Sequence, residues 1–562
     1  MLAALTVSSW TLNPAPSSIE LWPTWYWWIN PTITANTNIG VMTLPVLAAS
    51  WSSSNPAVAL METASGRIKA LTPGAVTLTG ILGGQQNSLA VNVVAPVLSP
   101  VEETVDPFLA TPASGHLYKI PMAIIQYLPT RDGINIDSTI SGWTGTVATL
   151  RSNLARYHKQ LKFQLEERSK FRGYNNAGAL PAVGYQVVKE ITVFEDMPPG
   201  IPPPDNSQIY FPDYTQILTR FNAEEWVNQL GVKEIFVVGY HNGRIVPVES
   251  NMASPTTGDI SNSFRHNDLP IYTQTYVVYG GNFARSDINL HIYGHQLEAI
   301  LSHVNQLRDG NTSLFWQNFV GNNAAGQFQQ GRCGNTHYPP NGISDYDYHN
   351  TTTVLSDIQD WTPANTGVKT PVNVFTWRNL PYVWPNSLPP DDIDQAHWLL
   401  YWMQNMPGRG NTIPYNINKM TNWWHFTGDW DAAITAGIGL YEPGSCNYLL
   451  SAISQSVSDT GGTISVNVTS SNGCKWIASS NEPWITITNG RTGNGNGTVS
   501  LNVAANNTGN ARSGTVAVAG QPFTITQAAT CPVITVSPAT ISPGATGGTY
   551  NQTFSLVQDK SQ

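Results

Sequence analysis

Apolar and polar residues alternate with period two near both ends of the chain. This alternation is clear in VTLTGILGGQQNSLAVNVV (76–94), GTISVNVT (462–469) and GTVSLNVAAN (497–506). Strict alternation over short runs predicts half-buried β-strands, and the Gly-Gly pair inside the first segment predicts a hairpin turn. The two ends of the chain are therefore expected to be all-β.

Residues 108–442 have a different pattern, in which short apolar runs alternate with stretches of helical spacing. Strands are expected at 121–128, 185–196 and 232–241 and in IYTQTYVVYGG (271–281), and helices at 145–171 and 213–231. Asp213 and Gly231 are the expected cap and end of the second helix. A strand–helix–strand order predicts a mostly parallel sheet with helices on both faces, which makes this an α/β domain.

The N-terminal segment resembles a known domain family. The motif WSSSNP (51–56), the strand Gly66–Leu71 and the turn Pro73–Gly74 resemble the bacterial Ig-like group 2 domain. The resemblance implies a β-sandwich over residues 1–96 that serves as a spacer or adhesion module. The Pro-containing, acidic residues 97–107 are expected to be a linker.

The C-terminal segment also resembles a family. GCKWIASSNEPWITI (473–487) and the strands after it resemble the BACON domain, an Ig-like module of secreted bacterial proteins. For residues 446–529 the resemblance implies a β-sandwich, secretion and binding of glycans. A disulfide is predicted between Cys446 and Cys474. Residues 531–562 resemble the start of a further Ig-like repeat, which is a candidate for self-association by strand pairing.

These segments together predict a multidomain protein in which Ig-like β-sandwiches flank a central α/β domain with a mostly parallel sheet. The expected location is secreted, at the surface of a bacterial cell. Charged residues make up only 11% of the chain and the net charge is −9, without a basic run, so nucleic-acid binding is not expected. An apolar run of about 18 residues is missing from the sequence, so no membrane span is expected either.

The segment HIYGHQLEAILSHV (291–304) is the first candidate for chemistry. On a helix that advances about 100° per residue, His291, His295 and Glu298 share one face. The three side chains could hold a divalent metal such as zinc or calcium. The simpler interpretation is a hydrated or structurally hydrogen-bonded side of an amphipathic helix, because the apolar residues of the segment centre on the opposite face.

A second candidate lies at the carboxyl ends of the predicted strands, where open α/β sheets bind ligands. Glu195 lies at the end of one predicted strand and His241 at the end of another, and both are candidate catalytic residues together with Glu249. The nearby loop is rich in Asn, Ser and Asp, so Asn251, Asp259 and Asp268 are candidate ligand-binding residues for sugar hydroxyls or a hard cation. The alternative is an exposed loop whose side chains bond their own backbone.

A further loop combines a cysteine with histidines and carboxylates. The segment GRCGNTHYPPNGISDYDYHN (331–350) contains Cys333, His337, Asp345, Asp347 and His349. Cysteine–histidine catalysis needs a thiolate beside an imidazole, but the spacing does not show such a pair, and a buried, inert thiol is the simpler interpretation.

Two hypotheses for function follow from these observations. The first is a secreted adhesion protein that binds glycans or builds an extracellular assembly. The second is a metal-assisted or carboxylate-based hydrolase of extracellular polymers, active in the central domain. Familiar catalytic motifs such as GxSxG, the P-loop and GxGxxG do not occur, and the zincin motif HExxH fails because residue 292 is isoleucine.

Overall fold

The computed structural model describes residues 6–530 and the strands at 533–537 and 553–557. Within the first range it does not describe residues 14, 16–17, 21–25, 28–31, 63–65, 72–73, 95–98, 131–132, 201–209, 242–244, 247–249, 264–268, 283–284, 310–312 and 386–391.

The N-terminal unit consists of short strands around its own apolar core. The strands are β1 Val7–Asn13, β2 Ser18–Glu20, β3 Tyr26–Trp27, β4 Thr32–Thr37, β5 Gly40–Pro45, β6 Ser50–Ser53, β7 Ala59–Glu62, β8 Arg67–Ala70, β9 Gly74–Leu82 and β10 Gln85–Val94. They form sheets of order β1-β4-β5, β2-β10-β9-β6 and β3-β8-β7. The predicted hairpin is confirmed, because β9 and β10 pair across Gly83 and Gly84, both at positive φ. The Ig-like group 2 assignment stays a prediction.

A six-stranded sheet is the centre of the middle domain. Its strands are β11 Val101–Glu102, β12 Tyr118–Tyr127, β13 Val183–Val193, β14 Glu234–Gly239, β15 Ser250–Ala253 and β16 Tyr276–Asn282, in the order β11-β13-β12-β14-β16-β15. The four inner strands are parallel, whereas both edge strands are antiparallel, so the sheet is mixed. Because β11 already pairs with β13, the central domain begins inside the segment 97–107 that was expected to be a linker.

Helices cover the sheet and build the irregular half of the middle domain. They are α1 Pro107–Ala110, α2 Ser138–Ser141, α3 Val147–Glu167, α4 Tyr214–Arg220, α5 Ala223–Leu230, α6 Ser286–Asp309, α7 Val374–Arg378, α8 Ile393–Gln404, α9 His425–Gly428 and α10 Trp430–Thr435. Among the described residues of this domain, 3₁₀ helices lie at Gly173–Asn175 and Ile358–Asp360 and a π-helix at Ser313–Val320, while a further 3₁₀ helix, Val46–Ala48, belongs to the N-terminal unit. Five short strands complete the domain: β17 Val354–Ser356, β18 Thr370–Val372, β19 Pro414–Tyr415, β20 Asn418–Met420 and β21 Tyr441–Pro443.

The helix expected at 213–231 is divided in two. Asp213 caps its start by accepting a hydrogen bond from the backbone N–H of Gln216 (2.9 Å), and Gly231 ends it at φ 67°, as predicted. Between them Asn222 has φ 53°, in the left-handed region, and this residue separates α4 from α5. Asparagine tolerates that conformation better than most residues, which explains the position of the break. None of the described helices is long and apolar enough to cross a membrane.

The C-terminal unit is a two-sheet sandwich. Its strands are β22 Leu449–Leu450, β23 Ser454–Val457, β24 Gly462–Thr469, β25 Lys475–Ser479, β26 Ile485–Asn489, β27 Thr492–Asn494, β28 Gly497–Val503, β29 Arg512–Val518 and β30 Gln521–Gln527. The sheets have the order β22-β24-β28-β26 and β23-β30-β29-β25-β27. The predicted disulfide is confirmed, since Cys446 and Cys474 are joined.

The segment expected to begin another repeat contains one antiparallel pair, β31 Val533–Ser537 and β32 Thr553–Val557. The rest of residues 531–562 lies outside the described residues. Self-association through this segment therefore stays a prediction.

The sandwich packs directly on the central domain. Lys119 pairs with Glu482 at 2.9 Å, and Arg491 pairs with Asp429 at 2.8 Å, across the boundary between the two units. Ile477 of the sandwich is buried in the same apolar core as the central sheet. The two units consequently share a partly apolar interface with specific ion pairs.

A half-buried histidine beside this interface predicts acid sensitivity. His425 hydrogen-bonds the Tyr118 hydroxyl, and burial lowers the pKa of His425 from 6.5 to about 4. A depressed histidine pKa stabilises the fold above pH 6.5, and this contribution is lost as the pH falls towards 4. We expect the free energy of unfolding to drop by about 2 kcal/mol by pH 5 through this residue.

Denaturation of the intact chain at pH 8 and pH 5, for wild type and His425→Gln, measures this effect. In the variant, the free energy of unfolding should fall by about 2 kcal/mol less between pH 8 and pH 5 than in wild type. The same slope in both proteins would show that His425 does not couple folding to protons.

Candidate metal centre

Helix α6 carries His291 and His295, the pair of histidines that the sequence places on one face. Its apolar face, with Ile292, Tyr293 and Leu297, is buried, and the ring of Tyr293 stacks on Tyr279 of β16 at 5.1 Å. The i and i+4 positions of His291 and His295 place their rings side by side on another face of the helix, with centroids 4.7 Å apart. Packing of the helix against the sheet therefore fixes where both imidazoles lie.

The third histidine, His337, comes from the loop between the π-helix and β17. The Asn335 side chain accepts hydrogen bonds from the backbone N–H groups of His337 (2.9 Å) and Tyr338 (2.8 Å), which shapes the turn. The indole N–H groups of Trp398 and Trp402 on α8 donate to the backbone carbonyls of Asn335 and Gly334, at 3.1 and 3.0 Å. Two buried tryptophans thus hold the histidine turn against the domain.

The three imidazoles meet at their Nε2 atoms. Nε2 of His295 lies 3.1 Å from Nε2 of His291 and 2.9 Å from Nε2 of His337. One candidate ligand nitrogen from each of His291, His295 and His337 lies within 4.8 Å of the other two. For comparison, ligands about 2.0–2.1 Å from a tetrahedral zinc ion are roughly 3.3 Å apart.

An acceptor holds the far side of each ring. Nδ1 of His295 is 2.8 Å from a Glu298 oxygen, and Nδ1 of His337 is 2.8 Å from an Asp345 oxygen. Nδ1 of His291 is 3.2 Å from the hydroxyl of Tyr348, which itself donates to the carbonyl of Thr336 at 2.9 Å. Carboxylates only accept hydrogen bonds, and the tyrosine proton is already used, so all three Nδ1 atoms act as donors.

This pattern leaves the Nε2 atoms of the three rings directed at one another. Burial and the neighbouring histidines lower the pKa of His291 to about 2, and the same causes lower that of His337. Both rings therefore favour the neutral form, which has a lone pair on Nε2 when Nδ1 carries the proton. Lone pairs this close repel each other unless an electrophile lies between them.

Glu298 takes a different place from the one expected. It does not join the meeting point of the rings but lies behind His295, and its other oxygen accepts from the backbone N–H of Thr336 at 2.8 Å. Burial raises the pKa of Glu298, but the hydrogen bonds from His295 and Thr336 outweigh this effect and lower the pKa below its ordinary value. An ionised Glu298 can then orient His295 and tie α6 to the histidine turn.

Tyr346 lies at the solvent side of the histidine group. Its ring centroid is 4.4 Å from that of His337 and 5.5 Å from that of His291, while the residue is 51% exposed. Its φ of 59° is unusual for a residue other than glycine and costs on the order of 1 kcal/mol or more. The surrounding loop holds Tyr346 in this conformation over the rings.

Glu195 and His241, the two candidate catalytic residues that the structure describes, do not join this group. Glu195 is buried in a two-bond ion pair with Arg220, with both N–O distances at 2.5 Å, which supports a structural role. His241 is exposed just after β14. Glu249 lies outside the described residues.

The structure describes two of the three candidate ligand-binding residues, and their role in ligand binding stays a prediction. Asp259 accepts from the backbone N–H of Met252 at 3.3 Å and from the Ser261 hydroxyl, as in a loop that bonds itself. Asn251 is fully buried in β15, away from solvent. Asp268 lies outside the described residues.

Two other candidates for chemistry, Cys333 and His349, lie on the same loop as His337. Burial raises the pKa of the Cys333 thiol, which favours an inert thiol over a nucleophile. His349 is largely exposed and pairs with Asp394 at 2.6 Å. The sequence marks His337 only as one of several titratable residues in this loop. Nothing in the pattern links it to His291 and His295 on the preceding helix.

Comparison with known proteins supports one part of the chain. Residues 475–528 match the family model of BACON, described as a putative binding domain, N-terminal. This match confirms the resemblance in the C-terminal segment. The chain matches no curated protein.

Likenesses to solved structures are partial. A Bacteroides ovatus GH5 xyloglucanase in complex with a XXXG heptasaccharide matches at 18% identity, over 18% of this chain and 21% of that chain, with a TM-score of 0.14. Domains 4–9 of surface layer protein SbsC match at 17% identity, over 21% of this chain and 17% of that chain, with a TM-score of 0.14. The chain spans about a fifth of the length of these structures, and the TM-scores are too low to show a common fold.

Proposed function

We propose that the central domain binds one zinc-like divalent ion through His291, His295 and His337. The observation that supports this most strongly is the meeting of three Nε2 atoms, each in a ring whose Nδ1 faces an acceptor. Imidazole nitrogens suit zinc and its first-row neighbours, whereas calcium prefers six or more oxygen ligands, so the donor set favours zinc over calcium.

The proposed activity is metal-assisted hydrolysis of an extracellular polymer. Three protein ligands and one open position are typical of catalytic zinc sites, while structural sites fill all four positions. An ion held by these three histidines would supply a bound water with a pKa lowered to about 7 and a Lewis acid for the bond to be hydrolysed.

The chain's own residues would prepare this site. Glu298 and Asp345 keep His295 and His337 in the tautomer with a free Nε2, and Tyr348 does the same for His291. Partners of this kind fix ring orientation and raise the basicity of the ligands. Tyr346, at the exposed side, limits how a substrate approaches the three rings.

The activity is tested on the intact chain after removal of metal with a chelator and reloading with zinc. Chromogenic esters and dye-labelled neutral polysaccharides provide two classes of hydrolysable substrate. We expect turnover of at least one class that disappears with chelation and returns with zinc. Equal activity in stripped and reloaded protein, or none with either class, would contradict the hydrolase proposal.

Removing the carboxylate behind His295 should weaken metal binding without removing a ligand. We expect Glu298→Gln to lower the affinity for zinc by about 10- to 100-fold, as is usual for residues that orient metal ligands. Competition with a chromophoric chelator measures the change. Glu224→Gln, an exposed glutamate on α5, is the matched control. An affinity within twofold of wild type would show that Glu298 does not tune the site.

The C-terminal module supports a second proposal, namely a secreted protein that attaches to glycans through its sandwich. It rests on the BACON match over residues 475–528, since that family is described as a binding domain. Affinity electrophoresis of the intact chain in gels that contain mucin tests it. Unchanged mobility in every mucin gel would contradict glycan attachment through this module.

A further inference from the structure

A cleft of about 820 Å³ opens beside the histidine turn of the central domain. Its walls are the segment 322–330 and the loop that continues through Asn335, Tyr338 and Ile343. Asn335 and Tyr338 immediately flank His337, and two residues beyond Ile343 lies Asp345, the hydrogen-bond partner of His337. The same loop therefore forms one wall of the cleft and one third of the proposed metal centre.

None of the described residues that line this cleft carries a charged side chain. Five of the ten lining residues have amide side chains: Asn322, Gln327, Gln329, Gln330 and Asn335. An anionic ligand would find no cation in the cleft, and a cationic ligand would find no carboxylate. The cleft consequently suits a ligand that is polar and uncharged.

The amides present both donors and acceptors to the cleft. The Gln330 side-chain N–H donates inward to the carbonyl of Asn341 at 2.8 Å, and that of Gln329 donates to the carbonyl of Phe328 at 2.8 Å, which leaves their oxygens as acceptors. The Gln327 oxygen accepts from Asn323 at 3.0 Å, which leaves its N–H groups as donors. Mixed donors and acceptors match hydroxyl groups, since each hydroxyl has both roles.

Two aromatic rings add an apolar surface to this wall. Phe328 and Tyr338 are half-buried, with centroids 5.2 Å apart and planes inclined by 31°. Aromatic rings combine a large apolar face with a low entropic cost of ordering. Pyranose rings have a face of C–H groups that packs on such a surface, while their hydroxyls reach the surrounding amides.

We infer that this cleft binds a neutral oligosaccharide chain and presents it to the three-histidine centre. The claim that the cleft binds an oligosaccharide depends on the cleft alone. The claim that the cleft presents this chain to the histidines rests on the proposed metal function. A peptide is the competing occupant, and the test includes it.

Affinity electrophoresis of the intact chain tests the inference, with gels that contain mixed-linkage β-glucan, galactomannan, pullulan or acidic polygalacturonate. We expect retardation by at least one neutral polysaccharide and none by polygalacturonate. Phe328→Ala and Tyr338→Ala should each weaken that retardation at least tenfold. Val383→Ala, an exposed apolar residue of another cleft in the same domain, is the control and should leave retardation unchanged.

Three results would overturn the inference. They are no retardation by any neutral polysaccharide, undiminished retardation of the aromatic variants, and stronger retardation by gels that contain casein as a peptide probe. Where an aromatic variant does not fold, the exposed Gln327→Ala and Gln329→Ala replace it. Zinc content is measured on the same samples, because loss of zinc with intact glycan binding contradicts only the metal centre, and the reverse contradicts only the cleft.

Discussion

Replacing His337 with alanine is expected to abolish stoichiometric zinc binding by the intact chain. The variant keeps His291 and His295 on α6 but loses the proposed ligand that, among the described residues, comes from outside the helix. Two histidines on one helix leave half of a tetrahedral site to water, so we expect the affinity for zinc to fall by more than 100-fold, beyond the effect of an orienting residue.

The loss should also appear in stability. A ligand present at 1,000 times its dissociation constant stabilises a fold by about 4 kcal/mol, so zinc should raise the melting temperature of wild type and not that of His337→Ala. Calorimetry with and without zinc measures this difference. His349→Ala is the matched control, because His349 lies on the same loop but pairs with Asp394. Equal zinc stabilisation in wild type and His337→Ala would exclude the three-histidine site.

Removing the disulfide is expected to destabilise the C-terminal sandwich by about 3.5 kcal/mol, from the entropy of closing a loop of this length. Cys446 and Cys474 are 28 residues apart and join the start of the sandwich to the residue before β25. The double variant Cys446→Ser/Cys474→Ser should therefore open this unit more often than wild type does.

Hydrogen exchange of the β25 and β28 amides in the intact chain measures the local free energy of opening. The central sheet should exchange at nearly its wild-type rate, which separates a local effect from global unfolding. Addition of a reductant should make wild type resemble the variant and leave the variant unchanged. Identical protection in oxidised wild type and the variant would contradict the expected contribution.

Local sequence pattern was sufficient for the inner part of the fold. The four parallel strands β12, β13, β14 and β16 are apolar runs, and the periodicity of α6 placed His291 and His295 on one face. The antiparallel edge strands are short and carry no comparable pattern: β11 has two residues and β15 has four. Their pairing depends on the neighbouring strand rather than on their own residues.

The third histidine and the role of Glu298 were beyond that level of reasoning. His337 is 42 residues from His295, and it reaches the site because Trp398 and Trp402 hold its turn. Helical angles place Glu298 on the face of the histidines, but they do not tell whether a carboxylate reaches the far or the near nitrogen of a ring. The loop that carries Thr336 decides which nitrogen Glu298 reaches. The backbone N–H of Thr336 donates to one carboxylate oxygen of Glu298, and the other oxygen contacts Nδ1 of His295.

The break between α4 and α5 has a local cause that the sequence contained. Apolar spacing continues across residues 213–231, so periodicity alone predicts one helix. Asn222 in the left-handed conformation interrupts it, and asparagine is among the residues that adopt this conformation most readily. The prediction from apolar spacing therefore missed the conformational preference of Asn222, and that preference divides the helix in the structure.

The most direct test of the metal centre is zinc X-ray absorption combined with elemental analysis of the purified intact chain after zinc loading and desalting. The expected result is one zinc ion per chain, with a first shell dominated by three imidazole nitrogens at about 2.0–2.1 Å. Zinc well below one per chain, or a shell of sulfur or carboxylate oxygen in place of imidazole, would contradict the assignment of His291, His295 and His337.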